Sequence, residues 1–429
     1  MEPMIPLLRE AADLRTGHLE PEAHADLLCT RIDRIDPVIR AFVPEHGRYE
    51  RLTAEARALA ARHRHGPPDG LPVLYGVPVG IKDVIHVDGL PTHAGSSLPP
   101  GVLAGPEAPL VTRLRAAGAL VAGKTATAEF AGSAPGPTRN PHDLAHTPGG
   151  SSSGSAAAVA AGLLPLAVGT QTMGSIVRPA AYCGVVGFRP GYGRIPTAGV
   201  IAHSPSLDTV GLFTADTAGA ALAAGVLCDG WEHRPPPGRD PVVGVPVGPY
   251  LERTRPDARE EFLRRLATLG LTVRHVDLLP DLDDLHRHLQ VIDRYELAQV
   301  HADLFARFAT LYRPETAAAI RRGHEIDRAD HTAALQARAG FQRRLAEATA
   351  EAGVDLWITP AAPGPAPRGL DSTGDAVMSK PWSYAGLPAV SLPAGRLDGL
   401  PIGLQLVGSA GADEDLLGFA ALIEQRLAA

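Results

Sequence analysis

Residues 149–162 read GGSSSGSAAAVAAG and run without a break into LLPLAVGT (163–170) and QTMGSIVRPAAYCG (171–184). By composition the first segment is a flexible Gly/Ser linker. Its continuation contradicts that, because a short apolar run between Gly and Pro is how a buried strand reads. A linker has no reason to be joined to a core strand with a second serine beyond it. The other reading is a tight loop that feeds a helix of small residues (154–162), then a strand (164–170), then a turn carrying Ser175.

Outward from this block the same texture recurs. VPVGIK (77–82), ALVAGK (119–124), LPLAVGT (164–170) and VVGF (185–188) are short apolar segments. Helical candidates at 106–117 and 154–162 lie between them. Alternation of this kind predicts an α/β fold with a mostly covered sheet. Before it, residues 1–65 show helical spacing (Leu7, Leu8, Ala11, Leu14; then Ala25, Leu28, Ile32, Ile35). An Arg-rich helix over 51–64 ends at the breaker HGPPDG (65–70). WEHRPPPGR (231–239) reads as a linker, after which VVGVPV (242–247), a helix at 256–268 and LTVRHVDL (271–278) resume the alternation. Residues 281–352 are charged with helical period. LWITPAAP (356–363), AVSLPAG to LQLVG (389–408) and a helix at 413–427 complete the core. No internal repeat is found.

With 429 residues and 45% hydrophobic side chains the chain can bury a large core. A net charge of −7 gives no electrostatic argument for nucleic acid or an anionic membrane. No apolar run is long enough to span a bilayer, and MEPMIPLLREAADLR lacks the basic and apolar regions of a signal peptide. Three widely spaced cysteines (Cys29, Cys183, Cys228) fit a reducing compartment, so a cytoplasmic location is expected. Of the 40 basic residues only Lys82, Lys124 and Lys380 are lysines. Arginine stays protonated where lysine can lose its proton on burial. A retained lysine is therefore a candidate base.

Several short patterns suggest chemistry and dissolve in context. GALVAGKT (118–125) fits G-x-x-x-x-G-K-S/T, but a P-loop needs a strand before the first glycine and a helix after the lysine. Here a helical stretch precedes and the segment between the glycines is itself a strand. GSSSG (150–154) fits G-x-S-x-G with Ser152 central, yet a loop, not a strand, leads into it. HDLAH (142–146) has metal-ligand spacing, but Pro141 and Pro148 oppose a helix. What remains is Lys82 at the end of an apolar strand, with Ser151 and Ser175. Burial would lower the lysine pKa and let it act as a base toward a serine hydroxyl. The small residues before Ser175 could turn backbone N–H groups inward as an oxyanion hole. On spacing alone, a solvated lysine and two turn serines stand as the rival reading.

GGSSSGSAAAVAAG-LLPLAVGT-QTMGSIVRPAAYCGVVGFRP resembles the signature block of the amidase signature family of Ser–Ser–Lys hydrolases. GVPVGIKDV (76–84) is similar to the strand that carries the family's lysine. TRNPHDLAHTPGG (138–150), SPSLDTVG (204–211) and PWSYAGLPAVSLPAG to GLPIGLQLVG (381–408) extend the likeness over nearly the whole chain, most weakly over 230–350. The resemblance implies one α/β domain with a long mixed, mostly parallel sheet covered by helices on both faces. Residues 71–230 would form the catalytic core, 281–352 a helical wall of the substrate funnel, and 355–429 the completion of the core. It implies Ser175 as nucleophile, Lys82 as base and Ser151 as the bridging serine after a cis peptide at Gly150. The N–H groups of Thr172, Met173, Gly174 and Ser175 would line the oxyanion hole. No metal or organic cofactor is implied, and a homodimer is compatible with the family.

The chain departs from the family's G-T-D-x-G-G-S-x-R pattern. Gln171 replaces the Asp, Met173 replaces a Gly, and Arg178 stands three residues after Ser175 instead of two. The Gln and the shifted Arg resemble malonamidase-like members, which implies that Arg178, with Gly150, Ser152 and Gln171, contacts a substrate carrying a carboxylate. The expected activity is hydrolysis of a small-molecule amide through an acyl-enzyme, without nucleic acid or membrane. The alternatives are an amide-forming acyl transferase, the A subunit of a tRNA-dependent amidotransferase, and a non-catalytic binding relative.

Overall fold

The computed structural model describes residues 3–64, 70–235 and 237–428. A ten-stranded sheet runs through the whole molecule in the order β2-β1-β3-β5-β4-β9-β10-β8-β6-β7. Its strands are β1 (Pro78–Lys82), β2 (Leu120–Thr125), β3 (Leu166–Gln171), β4 (Val186–Arg189), β5 (Thr209–Thr214), β6 (Val242–Pro246), β7 (Thr272–Val276), β8 (Leu356–Pro360), β9 (Ala389–Leu397) and β10 (Leu400–Val407). Strands β1 to β5 are buried at every position, as expected of strands covered on both faces.

The two wings of the sheet are parallel and its centre is antiparallel. β2-β1-β3 and β8-β6-β7 are parallel; the five pairings between β3 and β8 are antiparallel. Four of nine pairings are thus parallel, which corrects the expected parallel majority. The wings are joined by crossover helices, Pro109–Ala116, Ser153–Ala160 and Pro256–Thr268. At the centre β9 and β10 form a hairpin whose two linking residues, Asp398 and Gly399, both have positive φ (54° and 78°). Such a turn matches the twist of the strands it joins.

The N-terminal helices Leu7–Arg15, Pro21–Ile39 and Arg48–His63 form as expected. The breaker HGPPDG lies, except for Gly70, outside the described residues, as does Pro236 of the 231–239 segment. Residues 281–352 are helical: Leu282–Val300, Ala302–Phe308, Pro314–His324 and Arg328–Ala352. Among the described residues no helix is long and apolar enough to cross a membrane.

Helix Ser153–Ala160 is buried at every position. A β-carbon added at Gly154 would stand 2.1 Å from the carbonyl oxygen of Ala41 and 2.4 Å from the nitrogen of Ala126. Only glycine permits that approach, and the run of Ser, Gly and Ala is what allows the helix to lie against β1, β2 and β3. The Gly/Ser stretch is therefore a packing device.

Candidate active site

Strands β1 and β3 run parallel with Ile81 opposite Val168, which brings the end of β1 beside Thr170. Lys82, fully buried, reaches from β1 with its Nζ 2.7 Å from Ser151 Oγ and 2.7 Å from Thr170 Oγ1. Neither partner is a carboxylate. Desolvation dominates and pushes the lysine down to about 7, against an opposing pull from Asp208. Near neutral pH a large fraction of this amine is uncharged and able to accept a hydroxyl proton.

Ser151 follows a cis peptide after Gly150. Its carbonyl accepts from the N–H of Ala128, and the helix behind it starts at Ser153. Ser175 lies in the turn between β3 and helix Val177–Cys183 and faces a cavity of about 240 Å³. Among the described residues its hydroxyl makes no hydrogen bond, so the Lys82–Ser151 contact is formed and the Ser151–Ser175 contact is open. Catalytic contacts commonly tighten only with substrate in place. The N–H groups of Thr172, Met173, Gly174 and Ser175 likewise donate to no protein acceptor among the described residues. Met173, Gly174 and Ser175 line the cavity with Thr172.

Gln171 shapes this turn from behind. Its Oε1 accepts the N–H groups of Ile176 (2.8 Å) and Val177 (3.0 Å), the open first turn of the following helix. Its Nε2 donates to Ser383 Oγ (2.9 Å), and Ser383 Oγ donates to the carbonyl of Met173 (2.6 Å). An aspartate here could supply only the accepting half. Both ends of Gln171's amide thus bond inside the fold and the residue does not line the cavity, which corrects its expected contact with substrate.

Arg178 lines the cavity, and the two terminal nitrogens of its guanidinium are engaged. Nη1 donates to the carbonyl of Gly374 (2.8 Å), and Nη2 donates to the carbonyl of Gly150 (2.6 Å) and to Thr373 Oγ1 (3.1 Å). Its Nε has no partner among the described residues. Two other expectations are corrected. Gly150 does not line the cavity and packs under Thr373, whose methyl would lie 2.6 Å from an added β-carbon. Ser152 is fully buried, donating to the carbonyl of Thr170 and accepting its N–H, so it pins β3.

Residues not singled out from sequence complete the wall. His203 Nδ1 lies 2.9 Å from the carbonyl of Phe130 and Nε2 lies 3.0 Å from Asp293 Oδ1. Both partners are acceptors, so the ring donates from both nitrogens as an imidazolium. Burial opposes that charge, but Asp293 outweighs it and holds the ring at about 9. Asp208 Oδ1 accepts from Thr172 Oγ1 (2.5 Å) while Oδ2 accepts from the N–H groups of His203 and Ser204. Asp293, Leu297, Thr316 and Ala319 bring two helices of the 281–352 segment to the cavity.

The remaining motifs are structural. In GALVAGKT the helix precedes and β2 fills the space between the glycines; Lys124 Nζ pairs with Asp83 Oδ1 at 2.9 Å. HDLAH forms turns, with His142 Nε2 against the carbonyl of Cys183 (2.8 Å). Cys183 is fully buried, and desolvation pushes its thiol far up. Lys380 lines the cavity beside Asp375.

The family model described as Amidase matches residues 25–417. The A subunit of glutamyl-tRNA(Gln) amidotransferase from Symbiobacterium thermophilum is 35% identical, with 94% of this chain and 93% of that protein covered. A crystal structure described simply as amidase superposes with a TM-score of 0.90 at 32% identity, covering 98% of this chain and 100% of that one. The corresponding A subunit from Thermotoga maritima superposes with a TM-score of 0.76 at 27% identity, over 95% and 92%. A buried lysine beside a serine hydroxyl, a second serine on an open turn of free N–H groups, and a family match over nine-tenths of the sequence have one common explanation: the chain belongs to the amidase family, the amidase signature enzymes.

Proposed function

We propose that this chain hydrolyses a small-molecule carboxamide through an acyl-enzyme on Ser175. The observation that carries the reading is the lysine of lowered pKa, held 2.7 Å from Ser151 with hydroxyl partners in place of a carboxylate. Substrate entry brings Ser151 into contact with Ser175. Ser175 Oγ attacks the amide carbon and gives its proton to Ser151 Oγ, whose own proton passes to Lys82 Nζ. The carbonyl oxygen becomes an oxyanion held by the N–H groups of Met173, Gly174 and Ser175. Removing one such donor typically costs about 3–4 kcal/mol of barrier. Ser151 then returns a proton to the leaving nitrogen, the C–N bond breaks, and an ester on Ser175 remains. Water repeats the sequence, releasing the acid and restoring the Ser175 hydroxyl.

Intact-mass measurement after treatment with a fluorophosphonate tests the assignment. The expected result is one adduct on the wild type and none on Ser175→Ala. An adduct that persists in Ser175→Ala moves the nucleophile elsewhere.

The relative from Symbiobacterium supports a second reading, a component of an amidotransferase that acts on a tRNA-linked substrate. The closer superposition on the protein described as amidase supports the free-standing hydrolase. Multiple-turnover release of ammonia from free amides by the purified chain alone decides for the hydrolase. Silence alone, with activity restored by copurifying proteins, decides for the amidotransferase.

A further inference from the structure

His203 takes no part in the proton transfers, yet it stands where three walls of the Ser175 cavity meet. The first wall is the turn that places Ala131, Gly132 and Ser133 on the cavity. Phe130 and Ala131 both have positive φ (48° and 58°), which residues with a β-carbon adopt only where their surroundings enforce it. The N–H of Phe130 donates to the carbonyl of Ala94 (2.8 Å), and the N–H of Glu129 to that of Ala134 (2.9 Å). The Phe130 carbonyl itself accepts from His203 Nδ1.

The second wall is the helix Leu282–Val300. Asp293 accepts from His203 Nε2, and three residues on Glu296 accepts from Ser204 Oγ (2.6 Å) and the N–H of Ser206 (3.0 Å). Two carboxylates on one helix face thus tie the loop 203–206 to the helix. The third wall is the oxyanion turn. Asp208 takes the N–H groups of His203 and Ser204 on one oxygen and Thr172 Oγ1, at the start of that turn, on the other. Burial pushes the Asp208 carboxyl up, and the His203 charge is the largest influence in the opposite direction.

The titratable groups around the ring are Asp293 and Glu296 on the helix, Asp208 below it, which also acts on Lys82, Glu129 beside Phe130, and His301. Arg178, Asp375 and Lys380 share the cavity. Of these only Asp293 bonds to the ring among the described residues. A neutral imidazole has a single N–H, so it would turn a lone pair toward either the Phe130 carbonyl or Asp293.

We infer that His203 is a positioning residue of the reaction: as an imidazolium it fixes the Phe130–Ala131 turn against the helix Leu282–Val300 and, through Asp208, steadies the start of the oxyanion turn. This inference rests on the proposed amidase reading and names the group that keeps its site in shape.

Histidine-ring NMR on the full chain tests the charge directly. The His203 ring, identified as the signal missing from His203→Gln, should carry both N–H protons at about pH 7 and titrate at about 9. The backbone amide signals of Gly132 and Gly174 should move with the same midpoint. Fluorophosphonate labelling of Ser175, followed by intact mass from about pH 7 to 10, should slow above it. His203→Gln should label about 10- to 100-fold more slowly near neutral pH, the range for one charge-assisted hydrogen bond, and show no such fall. Asp293→Asn removes the anion that holds the proton, so the fall should move to lower pH, toward the ordinary histidine value of about 6.5. A ring that is neutral at about pH 7, amide signals that ignore its titration, wild-type labelling that stays level to about pH 10, or a fall that Asp293→Asn leaves in place overturns the assignment. Absence of an adduct at every pH, with the amide signals still titrating, counts instead against the serine chemistry.

Discussion

Lys82 and Lys124 sit at the ends of adjacent parallel strands, with Ile81 opposite Lys124 and Lys82 opposite Thr125. Both are buried and both have pKa values lowered by desolvation, yet they do opposite things. Lys124 faces the carboxylate of Asp83 at 2.9 Å, which opposes the effect of burial. Asp83 also accepts from the N–H of His93, and Lys124 donates to Thr92 Oγ1. Lys82 follows Ile81, the residue opposite Lys124, so it points to the other face of the sheet, where it meets only hydroxyls and a carbonyl. Partner type, not burial, separates the base proposed above from a structural cation.

The comparison can be broken by the same substitution at both sites. Lys82→Met should lower kcat/KM by roughly 10²- to 10⁴-fold, the range for removing a general base, while leaving unfolding free energy unchanged or raised. A Lys82→Met protein with substantial amidase activity removes the lysine from the mechanism. Lys124→Met should do the reverse. It strands the Asp83 carboxylate in the core and should cost about 3–5 kcal/mol in urea unfolding. Unchanged stability in Lys124→Met would show that the Asp83 pair is dispensable.

Two smaller effects sharpen the contrast. Ser383→Ala takes from Gln171 its acceptor and from the Met173 carbonyl its donor. One hydrogen bond of this kind is worth about 1–1.5 kcal/mol, so kcat should fall about tenfold with KM little changed. A rise in KM alone would place the pair in substrate binding. Thr170→Val removes a hydroxyl that accepts from the charged form of Lys82. The lysine should then deprotonate more easily, moving the acidic limb of the kcat/KM profile to lower pH. A shift to higher pH would mean that the hydroxyl stabilises the neutral amine.

Much of this was legible in the sequence because it is local. Small residues at 153–160 dictate a close-packed helix, the apolar runs that open β1 and β3 dictate a covered sheet, and Lys82 ends one of those strands. The rest depends on contacts between distant segments. Gln171 meets Ser383 across 212 residues and Arg178 meets Thr373 across 195, so nothing near either residue signals these partners. His203 becomes a cation only because the helix Leu282–Val300 brings Asp293 to it. The antiparallel centre of the sheet had a local signal in Asp398–Gly399, a pair that favours a two-residue hairpin, which a reading of 389–408 as one α/β portion passes over.

The central claim is that a lysine deprotonated near neutral pH activates Ser175. The rate of fluorophosphonate adduct formation on Ser175, followed by intact mass from about pH 5 to 9, tests it most directly. With the base titrating at about 7, the protonated lysine below that pH cannot accept the proton, so the rate should rise about tenfold per pH unit and level off above it. A rate that is flat across that range, or that rises only above about pH 10, the ordinary range of a lysine, would contradict the account.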